Sequence, residues 1–194
     1  LLLVAVADRG RRLLERATTD ALTGLPNRAT FLERARRELA RAERSGSSLA
    51  LVMLDIDRFK RFNDVYGHQA GDRVLALAGR AVAGAVRGID VAGRYGGEEI
   101  VLVLVDVECE AALAAVERVR AAIAAVRVPN VPEAVTASAG IALHHGAFDR
   151  ADVAALVKRA DQALYRSKEA GRDRATLEPR GSERPTSPAE VRYR

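Results

Sequence analysis

The feature that most constrains this chain is the unbroken apolar run Leu49-Ala50-Leu51-Val52-Met53-Leu54, stopped by Asp55-Ile56-Asp57. A strand with one wet face alternates apolar and polar residues, whereas one that is apolar at every position must be covered on both faces. The run therefore predicts a central strand with helices packed on either side. The flanking segments have the patterning this requires. Helices are expected from a cap at Asn27 to about Arg44, from about Gly71 to Val86, from Glu110 to Val126, and within Asp149 to Ala170. Further strands are expected at Val91–Tyr95, Glu99–Val105 and Val135–Leu143, with a short edge strand near Ala175–Leu177. Gly96-Gly97 would close a tight hairpin, its glycines permitting positive φ, with both arms beside the Leu49–Leu54 strand.

The order embeds a β-α-β-β-α-β arrangement of the ferredoxin-like kind. The fold class is α/β (α+β), with helices around a mostly antiparallel sheet. Residues 1–19 read as a linker or signalling helix from an upstream region, 20–177 as the folded domain, and 178–194 as a disordered tail. Leu1 to Ala7 is apolar but too short to span a bilayer, so a membrane enters only through a possible upstream segment.

Composition narrows the partners. The 31 basic and 26 acidic residues leave a formal charge of +5, which favours anionic ligands such as phosphates. No basic patch with aromatic platforms accompanies the high pI, so no nucleic-acid partner is expected. Lys60, Lys158 and Lys168 are the only lysines, so roles can be assigned to them singly. The lone Cys109 excludes an internal disulfide and a cysteine-based zinc site, and fits a reducing compartment.

Three stretches carry chemistry. Asp55 and Asp57 close the apolar strand, where carboxylate and carbonyl oxygens suit Mg²⁺ or Mn²⁺; the pair also describes a solvated strand end. Glu98 and Glu99 follow Gly96-Gly97 at the hairpin tip, so Asp55 and Glu98 could converge on one metal; an ordinary hairpin with solubilising acids has the same pattern. Asn63 and Asp72 offer an amide and a carboxylate that together match the donors of a guanine edge, and both also suit helix caps. His68 is a lone histidine of the structural kind.

Taken together these stretches resemble the GGDEF family of diguanylate cyclases. The resemblance spans about Asp20 to Arg172. It rests on Asp20-Ala21-Leu22-Thr23-Gly24-Leu25-Pro26-Asn27-Arg28, Asp55-Ile56-Asp57-Arg58-Phe59-Lys60, Asn63-Asp64, Gly67-His68, Gly71-Asp72, Arg94-Tyr95-Gly96-Gly97-Glu98-Glu99-Ile100, Ala163-Leu164-Tyr165 and Lys168. Ile100 stands where the family name has Phe, an apolar exchange at a strand start, and Glu98 replaces Asp while keeping a carboxylate.

The resemblance implies a nucleotidyl-cyclase fold and the condensation of two GTP into cyclic di-GMP with release of two pyrophosphates. By position, Asp55, the Ile56 carbonyl and Glu98 would bind two Mg²⁺ or Mn²⁺ per active site. Glu99 would assist catalysis at the metal or near the attacking hydroxyl. Asn63 and Asp72 would hold guanine. Lys168 and Arg172, four apart at a helix end, would hold the outer phosphates, supported by Lys60, the backbone near Phe59 and the Gly96-Gly97 tip. Arg87-Gly88-Ile89-Asp90 resembles the family's RxxD inhibitory motif, so product feedback through Arg87 and Asp90 is expected. Two GTP must meet face to face, which implies a homodimer. A cytoplasmic output domain of a signalling protein is expected. The alternatives are a catalytically silent module that binds GTP or cyclic di-GMP, and a related cyclase with another product.

Overall fold

A computed structural model describes residues 18–146 and 151–178. The helix expected over residues 1–19 lies outside them except for its last two residues, as does the tail after Glu178. The elements run α1 (Arg28–Ser45), β1 (Leu49–Ile56), α2 (Phe59–Tyr66), α3 (His68–Ala85), β2 (Val91–Arg94), β3 (Glu99–Val105), α4 (Cys109–Ala124), β4 (Ala137–His144), α5 (Val153–Glu169) and β5 (Ala175–Leu177).

Local signals set the boundaries. The Asn27 side chain accepts from the Thr30 N–H and starts α1, and Gly46 ends it in the left-handed region at φ 70°. Phe31, Ala35, Leu39 and Ala42 recur at helical spacing and form its buried face. Helix α3 starts earlier than its apolar periodicity suggests, at His68. Gly67, at φ 83° and ψ 158°, breaks the chain between α2 and α3 and serves both as their cap.

The sheet order is β2-β3-β1-β4-β5. Strand β1 pairs antiparallel with β3 and β4, β2 pairs antiparallel with β3, and β5 adds in parallel to β4. The mostly antiparallel sheet is as expected, and β1 is buried at every residue. The hairpin differs in one respect: only β3 lies beside β1. A strand has two edges, and β4 occupies the other, so β2 is pushed to the rim.

The two-residue period of the strands sorts the core into two layers. Ala50, Val52, Leu54 and Ile56 of β1 pack with Val74, Ala78 and Val82 of α3 and Val116 and Val119 of α4. Leu49, Leu51 and Met53 pack on the opposite face with Phe31 and Leu39 of α1 and Leu156 and Leu164 of α5. The same alternation sends Asp55, next in the series 49, 51, 53, toward α5. Its β3 partner Glu99 belongs to the face of Val101 and Val103, the same side.

Candidate functional site

The site forms where β1 and β3 end. Asp55 pairs with Glu99 in the β1–β3 register. Glu98 is bound one step further, its carbonyl 3.4 Å from the Ile56 N–H. Three carboxylates thus share one corner of the sheet, beside the Ile56 backbone.

Helix α5 brings a cation to them. Its close seat on β4 depends on Gly140, where a Cβ would lie 2.1 Å from both the Ala160 carbonyl oxygen and the Leu164 nitrogen. Ser167 adds a hydrogen bond to the Ala139 carbonyl at 2.7 Å. From that seat the Lys168 ammonium reaches Asp55 Oδ2 at 2.8 Å. Burial pushes the Asp55 carboxyl above its ordinary value, against the opposing pull of Lys168 and Arg172. Burial, then the Asp55 charge, likewise raises Glu98 and Glu99. Such a cluster attracts cations.

Arg172 sits differently from the sequence expectation. It is not one helical turn beyond Lys168, because α5 stops at Glu169 and Gly171 turns the chain at φ 110°. The Gly171 N–H bonds to the Lys168 carbonyl and the Arg172 N–H to the Ser167 carbonyl, a Schellman ending. Arg172 itself is left-handed at φ 67°. Its charge still acts on Asp55, but it does not share a helix face with Lys168.

The Gly96-Gly97 tip is also built differently. Neither glycine has positive φ, because the connection runs over four residues, Tyr95 to Glu98, and needs no tight two-residue turn. At Gly96 a Cβ would meet Glu99 Oε2 at 2.4 Å, so a larger residue there would push the Glu99 carboxylate aside. A Cβ on Gly97 would meet nothing within 4 Å, so that backbone is open to a ligand. The tip is fastened by Arg94, whose guanidinium donates to the Gly96 and Gly97 carbonyls and to both Asp20 oxygens at 3.0 Å. Burial raises the Asp20 carboxyl, but bonds from Thr23 and Arg94 outweigh it and hold it below its ordinary value. Arg94 and Asp20 carried no role in the sequence reading. Their signal was an arginine and an acid in two separate motifs, and only the fold joins them.

Asn63 and Asp72 are not helix caps. Asn63 is inside α2 and Asp72 is in the second turn of α3. Asn63 packs on Gly71, where a Cβ would fall 1.8 Å from its Oδ1, and that buried oxygen has no hydrogen-bond partner. An orphaned buried acceptor is costly, which suits a polar ligand beside Gly71. Phe59 is buried and Lys60 exposed at the start of α2, which has no side-chain cap on its first amides. Such free N–H groups suit phosphate oxygens. His68 is exposed at the start of α3.

Arg87 and Asp90 lie apart from this corner, beside the end of β3. The Asp90 carboxylate accepts from the Arg87 N–H, the Arg87 guanidinium and the Val105 N–H. Burial raises this carboxyl, but those bonds prevail and hold it below its ordinary value.

Asp55, Glu98 and the neighbouring carbonyls match the preference of Mg²⁺ or Mn²⁺ for one or two carboxylates plus substrate phosphates. Among the described residues no three His, Cys, Asp or Glu side chains gather tightly enough to cage a metal alone. Among the same residues no helix is long and apolar enough to cross a membrane.

Comparison with known proteins points to one family. Residues 17–174 match the family model "Diguanylate cyclase, GGDEF domain". Diguanylate cyclase DgcP of Pseudomonas aeruginosa is 48% identical over 163 residues, covering 82% of this chain and 24% of that protein. Diguanylate cyclase A of Treponema denticola is 36% identical over 178 residues, covering 90% of this chain and 48% of that protein. The chain thus spans from a quarter to about half of these relatives. The coiled coil and GGDEF domain of DgcB from Caulobacter crescentus, solved with c-di-GMP, superposes with a TM-score of 0.81 at 30% identity, over 90% of this chain and 93% of that one. Diguanylate cyclase SiaD of Pseudomonas aeruginosa, solved with its activator SiaC, gives 0.79 at 40% identity, over 91% and 67%. This chain, with its acidic sheet corner and diglycine tip, belongs to the GGDEF diguanylate cyclase family.

Proposed function

We propose that this domain condenses two GTP into cyclic di-GMP and two pyrophosphates, as the output domain of a signalling protein. The observation that carries the reading is the meeting of Asp55, Glu98, Glu99 and Lys168 at one sheet corner. The 3′-oxygen of one GTP bonds to the α-phosphorus of the other. The bond from that phosphorus to the pyrophosphate oxygen breaks, and the hydroxyl proton departs. A second such event closes the ring.

Asp55, the Ile56 carbonyl and Glu98 would hold two Mg²⁺ or Mn²⁺. Bound there, the ions would neutralise phosphate charge and acidify the attacking hydroxyl. Glu99, with its raised proton affinity, is placed to take that proton. Lys168 would exchange Asp55 for the outer phosphates, joined by Arg172, with Lys60 and the amides at the start of α2 beside them. Asn63 and Asp72 would read guanine, and the open backbone at Gly97 leaves room for the nucleotide. Each domain offers one such corner, so two must face each other across a C2 axis. Arg87 and Asp90 would form a separate product site whose occupation damps turnover.

The test is incubation of the purified chain with GTP and Mg²⁺ and mass analysis of the product. Cyclic di-GMP is expected, and its absence from a forcibly dimerised chain would overturn the reading.

A further inference from the structure

Among the described residues three charged residues are buried when backbone and side chain are taken together: Asp55, Asp57 and Arg120. Asp55 belongs to the site above; Asp57 acts on Asp55 only through its charge, and Arg120 has no part in the site. Both converge on Asp173, the neighbour of Arg172.

Asp57 stands just past β1. Its carboxylate accepts from Ser138 Oγ at 2.6 Å and Thr136 Oγ1 at 2.7 Å, and from the Asp173 N–H at 3.1 Å. Arg120 rises from α4, donates to the Ala137 carbonyl at 2.8 Å, and bonds the Asp173 carboxylate. One anchor grips the turn by its backbone and the other by its side chain. The turn needs holding, because Arg172 and Asp173 are consecutive non-glycine residues at φ 67° and 47°, a region L-residues avoid. A buried carboxylate with charge-strengthened bonds is a strong means of imposing such a conformation.

We infer that Asp57 and Arg120 are positioning residues that hold the Arg172–Asp173 turn and thereby aim Arg172 at the nucleotide's outer phosphates. The inference rests on the phosphate role of Arg172 proposed above. Neither residue touches substrate.

The experiment compares dissociation constants for 3′-deoxy-GTP, which lacks the reacting hydroxyl, and for GMP, which lacks the outer phosphates. Arg172→Ala should weaken the triphosphate about tenfold and leave GMP unchanged. Asp57→Ala should do the same, and should add nothing in an Arg172→Ala background. Asp57→Asn should largely restore binding, since its carbonyl can still accept the Asp173 N–H. Should Asp57→Ala not fold, Asp173→Ala cuts the Arg120 anchor at an exposed side chain and must shift the same ratio. Ser138→Ala, which spares the bond to Asp173, should lower stability without moving the ratio.

A ratio unchanged in Arg172→Ala would refute the phosphate role itself. A ratio changed there but unchanged in Asp57→Ala and Asp173→Ala would overturn the positioning role alone. So would an Asp57→Ala effect that persists without Arg172, or a Ser138→Ala effect of equal size.

Discussion

Glu98 and Glu99 hold charge where the fold disfavours it. Burial and the neighbouring Asp55 raise both carboxyls, so their ionised forms are destabilising at neutral pH. Glu98→Gln should therefore raise the melting temperature of the nucleotide-free protein, by about 2 °C, while abolishing cyclic di-GMP formation. Calorimetry paired with a turnover assay checks both. Asp90 has the opposite sign. Its lowered carboxyl contributes stability that is present above the unfolded value, about 3.9, and is lost as pH falls through the folded one. Asp90→Ala should cost about 2 kcal/mol near neutrality, and the gap to the parent protein should close in acid; urea titrations across pH measure it. Asp72 faces solvent beside Gly71, free to meet a base. Asp72→Ala should cut the preference for GTP over ATP at least about tenfold, as competition binding would show. At this scale the motifs were legible because carboxylates and glycines are conspicuous. The duties of Asp57, Arg94 and Arg120 were not, since each depends on a partner between 17 and 116 positions away.

The elements were legible wherever periodicity was strong. The run at Leu49–Leu54 became the central strand, and the edge strand appeared at Ala175–Leu177. Pairing was less legible, because apolarity shows that a strand is buried but not which neighbour takes which edge. The ending of α5 before Gly171 was legible, but the placing of Arg172 on the same face as Lys168 was wrong. Residue spacing assumes continued helix, and Gly171 interrupts it. Strand β4 and α5 depend on each other most closely at Gly140. Gly140→Ala would drive a methyl into helix backbone, which cannot move aside like a side chain. It should cost about 3 kcal/mol or more and displace Lys168 from Asp55, so both the denaturation midpoint and triphosphate binding should fall.

Across the whole molecule, helices on both sheet faces leave the strand ends as the open place for chemistry, and the acidic corner occupies one of them. On the proposed function, a domain with one such corner would present one nucleotide. Turnover at low enzyme concentration should therefore rise about with the square of that concentration, and fusion to a dimerising coiled coil should remove the dependence. Strict linearity over a wide range would refute the two-domain geometry. The way the chain enters the domain has a mechanical consequence. Pro26 accepts the Arg94 N–H, Thr19 bridges to Pro26, and Asp20 grips the Arg94 guanidinium that fastens the diglycine bend. Entry segment and bend are thus stitched into one lever, so a displacement of Thr19 and Asp20 would pull directly on the hairpin.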